Sequence, residues 1–161
     1  MTDPVVEPSR KPPVSALLLG YAGLLPPIIA IVVWLTNPFL GGLLLTLSLL
    51  YAALILSFLG GMWWGAAAAR VTGAGLALWL AVAVVPSLVA LAAGAVFFPS
   101  PTSGAAILAA GLLVSLTVDM ALVRAGHVPP WWMKLRVPLS VGLAVLTLVA
   151  GLLLERVISG L

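Results

Sequence analysis

One aspartate stands alone in a long apolar sequence. Asp119 is the only acidic residue between Glu7 and Glu155, and it lies five residues before Arg124. On a helix that places it about 7.5 Å inside the end that Arg124 marks. At the middle of a bilayer an ionised Asp costs about 2.5–3.5 kcal/mol, and less near an end. Asp119 should therefore face a partner. Arg124 at i+5 points about 140° away around the helix, so it is a poor choice. Arg70 and Arg136 belong to the same membrane face and are better ones. The expectation is an ion pair that fixes one end of a helix bundle. A proton relay, a ligand contact and snorkelling to the headgroups are the other roles open to it.

The segment from Pro129 to Pro138 gathers Trp131, Trp132, Lys134 and Arg136. Tryptophan and basic residues belong at headgroup level, so an interfacial anchor is expected. The functional alternative is an anionic site in which Lys134 and Arg136 hold a lipid phosphate or acidic ligand against the indoles. Trp63 and Trp64 approach the same face from another span, and two adjacent tryptophan pairs would line a pocket there. His127, the single histidine, reads as a loop residue. Without cysteine there is no thiolate metal site, disulfide or thiol catalysis. No H-E-x-x-H, nucleophile elbow, phosphate loop or carboxylate pair is present. No enzyme activity, metal or cofactor is expected.

These side chains need elements to hold them, and composition says which. Of 161 residues 63% are hydrophobic and only 7% charged, against roughly 25% charged in a soluble domain. The mean hydropathy is +1.30. A soluble fold of this size cannot hide so much apolar surface. That excludes a soluble enzyme and a nucleic-acid-binding domain, and makes the lipid bilayer the first partner. The net charge of +3 then serves orientation rather than an anionic macromolecule.

The predicted fold is an all-α integral membrane bundle of five transmembrane helices. Spans are expected at about 14–35, 41–69, 76–98, 103–123 and 131–154, as a single domain over 14–161 after a disordered cytoplasmic tail, 1–13. Asn37–Pro38, the 70–75 turn, Pro99–Ser100–Pro101 and Pro129–Pro130 punctuate them. Trp34 to Pro38 is no small-residue cleavage site, so the first stretch reads as a span rather than a secretory signal. Arg10, Lys11, Arg70, Arg124, Lys134 and Arg136 fall on one side of this arrangement, and only Arg156 on the other. The positive-inside rule puts the N-terminus in the cytoplasm and the C-terminus outside, in a multi-pass inner-membrane protein.

Lipid gives helices no hydrophobic drive to associate, so small residues mark close contacts. Span two carries Ala53, Ser57, Gly61, Gly65 and Ala69 at i, i+4 spacing. This stripe is expected to pack inside the bundle, with a dimer face as the alternative. Ser140, Ala144, Thr147 and Gly151 form a second stripe, and Gly111, Ser115 and Asp119 a third. Pro26–Pro27 and Pro86 should kink spans one and three, each freeing a carbonyl four residues back. Such a kink could simply pack, or could open a ligand cavity.

The stretches Leu19 to Pro26 (LGYAGLLP), Ser57 to Gly65 (SFLGGMWWG), Val123 to Gly126 (VRAG), Pro130 to Trp132 (PWW) and Leu135 to Leu139 (LRVPL) resemble domain-of-unknown-function family 3429. Its animal relative is the mitochondrial transmembrane protein 69. The resemblance covers nearly the whole chain after the tail. It implies a small multi-span inner-membrane protein with no assigned activity, and hints at an energy-converting membrane. Three functions follow as expectations. The first is a non-enzymatic accessory or assembly partner of other membrane proteins. The second is a lipid or small-molecule binding protein using Asp119, Arg136 and the tryptophans. The third is a small homodimeric transporter.

Overall fold

The computed structural model describes residues 11–159. Residues 1–10, most of the expected tail, lie outside them. Among the described residues every regular element is helical: α1 (Val14–Ala22), α2 (Leu25–Thr36), α3 (Pro38–Arg70), α4 (Ala74–Phe97), α5 (Pro101–Arg124) and α6 (Trp132–Ser159). Taking α1 with α2 as one, five stretches are long and apolar enough to cross a membrane.

The helix starts follow from their capping residues. The Asn37 side chain accepts from Leu40 N at 3.1 Å, and Pro38 takes the first position of α3. Ser100 accepts from Ser103 N in the same way, with Pro101 opening α5. A proline costs nothing there because that N–H has no helical partner. Hence spans two and four begin earlier than the expected 41 and 103. The α5 end is equally defined. Gly126, at φ 72°, donates to the Val123 carbonyl, and His127 N to the Leu122 carbonyl, which is the Schellman pattern. The uninterrupted α3, at 33 residues, is about 50 Å long, so it tilts or protrudes from a hydrocarbon layer of about 30 Å.

Helices α3, α4, α5 and α6 close into a ring in which each packs against the next and α6 returns to α3. The first span lies outside that ring, α2 against α3 and α6, and α1 against α6. No residue of α1 is buried. The break within this span falls at Gly23–Leu24, just ahead of Pro26 and Pro27. Neither proline has an N–H to give the carbonyls of Ala22 and Gly23. The Tyr51 hydroxyl of α3 donates to the Gly23 carbonyl instead, at 2.8 Å.

The small-residue stripes divide into two kinds. Ser140, Ala144, Thr147 and Gly151 are all buried, and a Cβ on Gly151 would stand 2.4 Å from the Cβ of Ala105. These bring α5 and α6 together. The α3 stripe is different, and here the expectation is corrected. Gly61 and Gly65 are exposed, and a Cβ on either would meet nothing within 4 Å. The close contact falls one residue earlier, at Gly60, where a Cβ would lie 2.3 Å from the Ala83 carbonyl oxygen. Ser57, at the edge of the stripe, shares a 2.8 Å hydrogen bond with Ser87 of α4. The part of α4 that carries Ala83 and Pro86 thus rests on Gly60, not on Gly61 or Gly65.

Candidate functional site

Asp119 lies on α5 five residues before its end, and nothing of it is exposed. Three helices converge on its carboxylate. Arg136, in the second turn of α6, donates from Nε to Oδ2 at 2.8 Å. Trp63 of α3 donates from its indole nitrogen to Oδ1 at 2.9 Å, and Trp132, at the start of α6, donates to the same oxygen at 3.2 Å. The guanidinium also reaches Ser115, one turn before Asp119 on α5, through Nη2 at 3.2 Å. Ser115 passes its own proton to the Leu112 carbonyl at 2.7 Å. The result is a latch joining α3, α5 and α6 with its charges matched.

Helical spacing explains the assembly. Ser115 and Asp119 are four apart, as are Trp132 and Arg136, so each pair shares a face. Both pairs face the α5–α6 seam that the small residues bring close. A buried ion pair persists only where further hydrogen bonds satisfy the rest of each group. Here two indoles and a serine do so.

The other candidate residues are placed elsewhere. Arg70 is not a partner of Asp119. Its Nη1 donates to the Gly126 carbonyl at 2.9 Å, tying the end of α3 to the α5–α6 turn. Trp64 is 47% exposed and faces away from Trp63's partner. Trp131 lies against Trp132 with ring centroids 5.9 Å apart, and Lys134 is exposed. Each tryptophan pair therefore sends one indole to Asp119 and keeps one outside. An anion held between Lys134 and Arg136 does not fit this geometry, since Asp119 already meets the Arg136 charge. His127 sits in the turn after α5, its ring edge-on to Trp79 at 6.0 Å. Among the described residues no three metal-ligating side chains come together.

Sequence reasoning missed two polar contacts. Glu155, near the far end of α6, accepts from Thr102 N at 2.8 Å and from the Ser100 hydroxyl at 3.2 Å. It thereby supplements the cap of α5, where a helix terminus favours negative charge. Tyr51 was missed as well. Its signal was available, since a proline pair frees carbonyls that something must meet. The two larger cavities flank the ring. The larger, about 540 Å³, is an almost wholly apolar groove between α3 and α4 around Leu50 and Leu91. The other, about 310 Å³, reaches Arg136.

The described protein family that matches the chain is "Protein of unknown function (DUF3429)", over residues 12–153. No curated protein and no solved structure matches it.

Proposed function

The chain belongs to the DUF3429 family, and from that premise we propose that it is a non-enzymatic accessory or assembly protein that docks other membrane proteins on α3. The observation that carries this reading is the outward stripe of Gly61 and Gly65. Small residues four apart let two backbones approach closely, which is the main source of helix affinity in lipid. Exposed Phe58 and Trp64 flank the stripe and would grip a crossing helix on either side. The Asp119 latch supports the same reading. A carboxylate with no exposure and three donors serves as a tie between helices. The basic end, with Arg70, Arg124 and Lys134, faces the cytosol in an inner membrane, with the C-terminus opposite.

Photo-reactive amino acids at Gly61 and Gly65 test the docking face in native membranes. The expected result is one defined heterologous adduct at both sites and none from a probe at Leu91, beside the α3–α4 groove. A self-adduct would instead make the stripe a homodimer face. Only lipid adducts at both positions would overturn the proposal. Reporter enzymes at the two chain ends test the orientation and should report from opposite compartments.

A further inference from the structure

The cavity of about 310 Å³ lies between α1, α3 and α6, beside the latch. Its wall is mainly apolar, and its rim includes Leu19 and Phe58, 76% and 61% exposed. It therefore opens sideways, onto the flank that acyl chains would wet. Part of the wall is polar, formed by Arg136, Ser140 and Tyr51. Ser140 is 1% exposed and its hydroxyl has no hydrogen-bond partner. Such a group is destabilising until something meets it. A guanidinium carries five N–H donors. Arg136 directs its Nε to Asp119 and one Nη2 donor to Ser115, leaving further donors beside the cavity. Tyr51 gives its proton to the Gly23 carbonyl and keeps a lone pair.

The charge of this wall decides what it can hold. Asp119 balances Arg136, so an anionic head would bring an unmatched charge into a low-dielectric site. A neutral acceptor meets the unpaired donors at no such penalty. We propose that the cavity holds the head of an uncharged, carbonyl-bearing amphiphile (a quinone ring or a glycerol ester). The carbonyl oxygen accepts from Ser140 and Arg136, and the apolar chain leaves past Leu19 and Phe58. The volume sits at the small end of ligand sites, about 300 Å³. It suits one ring or ester head rather than a whole diacyl lipid.

The test uses the full chain, purified in mild detergent and delipidated, with native mass spectrometry as the readout. Three probes are titrated separately: a decyl-substituted benzoquinone, dioctanoylglycerol and decanoate. One neutral probe should be retained at one per chain, and which one names the source; decanoate should not be. Ser140→Ala should weaken retention about fivefold, the worth of one neutral hydrogen bond. Its melting temperature without probe should equal or exceed that of wild type, since an unmet hydroxyl has gone. Ser140→Leu should fill the space and abolish retention. The proposal is overturned if wild type retains neither neutral probe, if decanoate is preferred, or if both variants retain the neutral probe as wild type does.

Discussion

Removing Arg136 tests the latch most directly. In Arg136→Met the stem is kept and the guanidinium lost. Asp119 then remains buried with two indole donors but no counter-charge. Breaking a buried pair from one side costs about 3–5 kcal/mol. Asp119→Leu should cost a similar amount by stranding the arginine. In the double variant no charge is left, and only the Trp63 and Trp132 N–H groups and the Ser115 oxygen lose partners. Interhelical hydrogen bonds in membranes average about 0.6 kcal/mol each, so the double variant should lose about 2 kcal/mol. It would thus be more stable than either single variant, with a coupling energy of several kcal/mol. Reversible unfolding in mixed micelles, followed by tryptophan fluorescence, gives all four corners of the cycle. Single losses that add to within about 0.5 kcal/mol would refute the reasoning, because the two residues would then not act as one unit.

Tyr51→Phe should cost about 1 kcal/mol by leaving the Gly23 carbonyl unmet at the α1–α2 break, and amide exchange should rise in α1 before it rises elsewhere. Gly60→Ala should destabilise by about 1–3 kcal/mol, because the added carbon runs into the Ala83 backbone. Gly61→Ala, one residue on, should be neutral or gain up to about 1 kcal/mol of helix propensity, and melting temperatures in detergent separate the two. Glu155→Gln should weaken the α5 cap, read as earlier exchange at Thr102 and Ser103.

The number of spans was legible because hydropathy acts locally, while the Asn-Pro and Ser-Pro dipeptides, read as breaks, proved to open α3 and α5. Asp119 was legible as a site because its solitude in apolar sequence requires a partner, and helix spacing favoured Arg136 over Arg124. The sequence offered Arg70 on equal terms, since a face of the membrane is not yet a position on it. The inward face of α3 was not legible. In a helix apolar all round, lipid and protein core impose the same residue types, so Gly60 and Gly61 look alike. Only the close approach of Ala83 and Pro86 of α4 to Gly60 distinguishes them. The Glu155 contact was hidden for another reason. It depends on the two far ends of α5 and α6 meeting, which no local pattern encodes.

Asp119 and Arg136 stand 17 positions apart on consecutive helices. During synthesis the aspartate leaves the ribosome first. Until the arginine follows, α5 alone carries an uncompensated acid toward the hydrocarbon. Partitioning of α5 and α6 together, as a hairpin, cancels both charges before either meets lipid. The insertion machinery would then have to retain α5 while the turn at Gly126 and the start of α6 are still being made. Any change that lengthens that turn delays the release of both.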